Sequence, residues 1–157
     1  MGATDKTNVM RILDQKKIQY EAHFYEPDAT MSGEEIAAIL NEDPEHVFKT
    51  LVTQGKSGTY FVFVVPVKEE LDLKKAANAA GEKAIAMIKQ KELLPLTGYV
   101  HGGCSPVGMK KPFKTFVHES ASAFEKIFVS AGKVGAQIEL SPQDLIKTVG
   151  CGFADIV

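Results

Sequence analysis

Apolar residues along this chain switch between helical and alternating spacing several times, with no internal repeat, linker or low-complexity segment. Val9, Ile12 and Leu13 predict a helix over 8–17, and a strand follows over 20–25. Ser32 with Glu35 three residues later is a capping-box pattern for a helix ending near Leu40. Asp43 and Pro44 fit an N-cap and first helical position, leading into a β-rich segment over 47–53. The run YFVFVVP, 60–66, is continuously apolar and reads as a buried strand. A helix over 72–80 is stopped by Gly81, and short strands are predicted over 84–87, 115–118, 127–130 and 137–140. Ser141, Pro142 and Asp144 open a last helix, and 153–156 returns to the sheet. The pattern predicts a mixed α/β domain with one central sheet.

At 157 residues and 45% hydrophobic content, the chain fits one domain spanning 1–157 with its own core. Its net charge of −2 provides no general positive field, so any nucleic-acid contact must use local patches such as Lys110, Lys111 and Lys114. The opening residues lack a signal-peptide pattern, and no apolar run is long enough to span a bilayer, which predicts a soluble cytoplasmic protein. Cys104 and Cys151 form no CxxC pair, and the four histidines form no HxH or HExxH motif, so neither disulfide nor zinc chemistry is indicated.

Candidate chemistry concentrates in two glycine-rich segments. The first, TGYVHGGCSPVG at 97–108, packs four glycines and Pro106 into a dozen residues, enough to specify a shaped loop with amides turned toward a ligand, or an ordinary connection. The second, Ser130–Ala131–Gly132–Lys133–Val134–Gly135, is either a hairpin turn or an anion cradle, and is too short for a nucleotide-binding P-loop. Lys49 shares a strand face with Val47 and Leu51, where it must snorkel outward, guard an edge or meet an anion. Tyr25 ends the first strand as either a pocket border or a core cap. Glu26 and Asp28 read as solvated loop carboxylates. Cys104, three residues after His101, is either a thiol nucleophile or a small pocket-lining or core residue, and the second reading is preferred because proximity in sequence does not orient an imidazole.

The ordered set VFKTLV (47–52), LDLKKAA (71–77), the GxxxP signature from Gly102 to Pro106, KKP (110–112), SAGKVGAQIEL (130–140) and FADI (153–156) resembles the YbaK/EbsC family of aminoacyl-tRNA deacylases, relatives of the editing domain inserted in bacterial prolyl-tRNA synthetases. The resemblance runs from about Thr7 to the C-terminus. It implies a mixed, partly barrel-like sheet flanked by helices, and no cofactor or metal. It implies an active-site lysine at Lys49, which contacts the phosphate or ribose of the tRNA end, since an amine of pKa ~10.4 is a poor base at neutral pH. Amides at Gly102 and Gly103 become oxyanion donors, and Tyr25, Cys104, Ser105, Pro106, Ser130, Gly132 and Lys133 become pocket residues. Ala131 departs from the family's SGGKxG pattern, and Gln137 stands where an acidic residue is expected.

The implied activity is clearance of Cys-tRNA(Pro), extending to Cys-tRNA(Cys), by attack of the substrate's own thiol and release of a thiolactone. An apolar synthetic pocket separates cysteine from proline poorly, so a second sieve is required. Prolyl-tRNA synthetase is the implied partner for tRNA selection. Two alternatives remain at this stage: a deacylase for another small amino acid on tRNA(Pro), such as alanine, and a non-catalytic module that binds aminoacyl-tRNA or a synthetase.

Overall fold

Local chemistry sets where the helices begin and end. The computed structural model describes residues 5–26, 31–150 and 152–157. Thr7 Oγ1 accepts from the Met10 amide to start α1 (Asn8–Gln15), and Ser32 and Glu35 form the expected reciprocal box at the start of α2 (Gly33–Ile39). Asp72 caps α3 (Leu73–Ala80), which ends at Gly81 in the left-handed region. A further helix, α4 (Gln90–Thr97), was not predicted, because Pro95 lies inside it and reads as a breaker. Glu92 Oε2 accepts from the Lys89 amide at 2.8 Å at its start. Ser141 and Pro142 open α5 (Pro142–Val149) as anticipated.

The strands form two sheets where the periodicity predicted one. β1 (Glu21–Phe24), β7 (Ala136–Leu140) and β6 (Ile127–Ser130) make an antiparallel sheet in the order β1-β7-β6. The other has the order β4-β2-β3-β5-β8, built from β2 (Phe48–Gly55), β3 (Tyr60–Pro66), β4 (Ile85–Met87), β5 (Lys114–His118) and β8 (Gly152–Ala154). In it β3–β5 and β5–β8 are parallel, whereas β2–β3 and β2–β4 are antiparallel. A parallel bridge between Val47 and Phe128 joins the sheets, and the strands are not paired beyond it. The result is a partly barrel-like wrap without closure among the described residues.

Burial explains this arrangement. Phe48, Val52, Val62 and Val64 of β2 and β3 pack against Ile127, Val129, Ile138 and Leu140 of the smaller sheet and against Val9 and Leu13 of α1. The opposite face of β3, with Phe61, Phe63 and Val65, packs on Ala76 and Ala77 of α3. Because β3 is buried on both faces, its sequence runs apolar without alternation. Among the described residues no helix is long and apolar enough to cross a membrane.

Candidate functional site

The register of four strands places the candidate residues in one row. From the Val47–Phe128 bridge, β2 and β6 run in the same direction, two residues each, to Lys49 and Ser130. Ser130 is opposite Gln137 on β7, and Gln137 is opposite His23 on β1. Side chains alternate along strands, so Lys49, Ser130, Gln137 and His23 lie on the face turned away from the main core. The T-shaped contact between the His23 and Phe128 rings, centroids 5.4 Å apart, places Phe128 on that face too. Tyr25 follows two residues beyond His23, and its amide donates to Gly135 O at 3.0 Å, which ties it to the second glycine turn.

That turn packs directly on the first glycine loop. A Cβ on Gly103 would stand 3.0 Å from the Val134 nitrogen and 3.1 Å from Lys133 Cα, so the loops meet backbone to backbone. Gly132, at φ 98°, is in the glycine-favoured region, and a Cβ there would press on the Val9 and Tyr99 side chains at 3.0 and 3.2 Å. The first loop is pinned from within. Tyr99 donates through its hydroxyl to Val107 O, the buried Ser105 Oγ accepts from the Val107 amide, and Thr97 Oγ1 accepts from the Tyr99 amide. Ser130 Oγ accepts from the Gly132 amide at 3.1 Å and shapes the second turn in the same way.

The two expected oxyanion donors differ. The Gly103 amide donates to Val100 O at 3.0 Å and is committed to the loop's own turn. The Gly102 amide makes no hydrogen bond to another described residue, and its φ of 85° is in the glycine-favoured region. Lys49 is half-buried and forms none of the ion pairs among the described residues. Cys104 joins the main core cluster, and burial pushes its thiol up to about 12, while His101 is exposed and makes no bond to it. A thiol of that kind is not an activated nucleophile. Pro106 is buried, Lys133 is half-buried, Glu26 is exposed, and Asp28 and Cys151 lie outside the described residues.

Sequence reasoning missed Glu42. Helix α2 ends with Asn41 at φ 56°, and the Glu42 amide turns back to Ala37 O at 2.8 Å, a left-handed helix ending that throws the next side chain over the sheet. With the Gln137 amide nitrogen facing it, Gln137 donates to both Glu42 carboxylate oxygens at 2.9 Å. The available signal was an asparagine directly after a capped helix, in LNEDP. Beside this pair, His23 Nε2 bonds Glu139 Oε1 at 2.9 Å. Glu21, His23 and Glu139 bring donor atoms within 4.8 Å of one another, a grouping compatible with a divalent cation.

Burial raises the Glu42 pKa from 4.5 to about 7; His23 opposes the rise, Glu139 adds to it, and the Gln137 bond opposes it. The folded chain therefore holds a proton that the unfolded chain releases above pH 4.5, and this group's contribution to stability falls as pH rises through 7. Melting curves from about pH 5 to about pH 8 are expected to show Glu42→Gln gaining on wild type as pH increases. Parallel curves would contradict this.

Two clefts lie beside the end of α1 and α5. One of about 200 Å³ runs along Pro106, Val107 and Gly108 and is bordered by Lys16 and Lys111. Its neighbour, about 490 Å³, is bordered by Lys16, Lys17 and Lys147.

The chain is similar to known proteins across this whole arrangement. It is 45% identical over 152 residues, 96% of its length and 93% of the relative's, to EbsC of Enterococcus faecalis, named as a Cys-tRNA(Pro)/Cys-tRNA(Cys) deacylase. It is 27% identical over 99 residues to a proline–tRNA ligase of Fervidobacterium nodosum, covering 63% of this chain and 17% of the ligase. Its fold matches a crystal structure described as a trans-editing enzyme for prolyl-tRNA synthetase, with a TM-score of 0.80 at 24% identity, covering 97% of this chain and 98% of the other. The aminoacyl-tRNA editing domain model matches residues 26–148, and with that match and the 45% identical relative, the chain belongs to the aminoacyl-tRNA editing domain family.

Proposed function

We propose that residues 1–157 act as one cytoplasmic editing domain that cleaves the ester of Cys-tRNA(Pro), and also of Cys-tRNA(Cys). The observation that carries this reading is the placement of Lys49 and Ser130 at one level of the β2–β6 seam, beside a glycine loop whose Gly102 amide has no hydrogen-bond partner among the described residues. The deacylase name of the 45% identical relative supports the choice of amino acid.

In this reading Lys49 holds the phosphate or ribose of the terminal adenosine, and the Gly102 amide faces the developing oxyanion. Tyr25, Ser130, Gly132 and Lys133 border the substrate, while Cys104, Ser105 and Pro106 shape the loop from behind. The nucleophile comes from the substrate. Its thiol gives a proton to water, the sulfur attacks the carbonyl, the C–S bond forms and the ester C–O bond breaks. The departing ribose oxygen takes up a proton, and a thiolactone leaves. A cysteine thiol is a few per cent ionised at neutral pH and strongly nucleophilic, so no protein base is required.

The tRNA is held by local charge, with Lys16, Lys17, Lys111 and Lys147 bordering the two clefts and the exposed Lys110 beside Lys111 facing acceptor-stem phosphates. Prolyl-tRNA synthetase is the proposed partner in tRNA selection. Release rates from Cys-, Ser- and Ala-tRNA(Pro) test the reading. Cysteine is expected to be released at least about 100-fold faster than serine or alanine, since only its side chain is an effective internal nucleophile. Equal release of alanine would replace the thiol mechanism with an alanine editor, and tRNA binding without release would leave a binding module.

A further inference from the structure

Glu42 and Gln137 have no part in the bond-breaking described above, yet the fold invests several local features in placing them. The left-handed Asn41 and the Glu42-to-Ala37 bond fix the backbone, and the cap of the following turn, where Asp43 Oδ1 accepts from the Glu45 amide at 2.9 Å, fixes the exit. Gln137, only 6% exposed, then holds both carboxylate oxygens. Among the described residues, no lysine or arginine pairs with Glu42. Gln137 is neutral, Glu139 is acidic, and His23 already bonds Glu139. A half-buried carboxylate is thus held by a neutral amide, and a cation arriving from outside would pair with it in a low-dielectric setting.

The position relative to the row identifies that cation. Gln137 is paired with Ser130, which is level with Lys49, so the carboxylate sits over the strand next to the one that carries the reacting end. Neighbouring strands are about 4.8 Å apart. An aminoacyl ester has its ammonium on the carbon attached to the carbonyl, within that span. Resting on the editing reading given above, we propose that Glu42 receives the α-ammonium of the aminoacyl group and that Gln137 is its positioning residue. The pair supplies what a lone glutamine at 137 lacks, a negative charge for the substrate's amine, with the carboxylate donated by the end of α2.

The test compares cleavage of Cys-tRNA(Pro) with that of N-acetyl-Cys-tRNA(Pro), which keeps the thiol and the ester but carries no ammonium. Wild type is expected to favour the free amine by at least about 10-fold in kcat/KM. Glu42→Gln, which keeps a side chain of the same shape able to bond Gln137, should bring that ratio near one. Gln137→Ala should lower the ratio partially, whereas a purely structural role for Gln137 would lower the melting temperature and leave the ratio unchanged. Lys49→Ala should slow both substrates alike. A wild-type ratio retained in Glu42→Gln, or equal cleavage of the two substrates by wild type, overturns the proposal and leaves the editing reading intact. Failure of wild type to cleave either substrate overturns both.

Discussion

Replacing Lys49 with alanine is expected to lower kcat/KM for Cys-tRNA(Pro) by roughly 10- to 100-fold, the loss that follows when a charge-assisted hydrogen bond is removed. The side chain is half-buried on a strand whose neighbours Phe48 and Val52 point to the opposite face and form the core. Fold stability should therefore change little, by less than about 1 kcal/mol. Lys49→Arg should recover part of the rate, because the charge returns with a different donor geometry. An anchor for phosphate or ribose also makes the rate salt-sensitive, and the alanine variant should lose part of that sensitivity. If Lys49→Ala cleaves at the wild-type rate, Lys49 is no anchor and the site must be rebuilt without it.

The second large effect is expected at Gly103. A methyl group there meets the Val134 nitrogen and Lys133 Cα, backbone atoms that no rotamer change can move, so the two loops must part. The backbone must give by a few tenths of an ångström, a misplacement expected to lower the rate by roughly 10-fold, and forcing the extra carbon into packed backbone costs roughly 1–3 kcal/mol of stability. Gly102 gives the contrasting control. Its Cβ would come no closer than 3.6 Å, to Val134 Cγ2, so the penalty of Gly102→Ala is the left-handed backbone itself, about 1–2 kcal/mol. Gly103→Ala should therefore hurt cleavage more than Gly102→Ala at similar stability cost. Urea unfolding paired with cleavage rates checks both, and the reverse order would place the loops' critical contact elsewhere.

Much of this arrangement was legible because local rules and long-range structure agree. The capping box at Ser32, the glycine stop at Gly81 and the apolar run of β3 each specify an element from a few neighbouring residues. Lys49 stood out because a charge interrupts an apolar face, and the glycine loops because glycine density marks backbone that must pack closely. What escaped depends on pairing across the chain. Pro95 concealed α4, which is held by Glu92 at its start and Gly98 at its end despite the internal proline. One central sheet became two, because β2 and β6 meet at a single bridge and then separate, which no periodicity encodes. The distinction between the Gly102 and Gly103 amides rests on one turn bond to Val100. Glu42 joins the site only when the end of α2 folds over β7 to reach Gln137.

The central claim is that the substrate's own sulfur breaks the ester. The most direct measurement is the identity of the first product of a single turnover of Cys-tRNA(Pro) with radiolabelled cysteine, in the presence of a trap that reacts with thiolactones and not with free cysteine. The account predicts that the label leaves as trapped thiolactone, at a rate matching the loss of charged tRNA. Free cysteine appearing at that rate, with no trapped adduct, would contradict it and require a water nucleophile in the site.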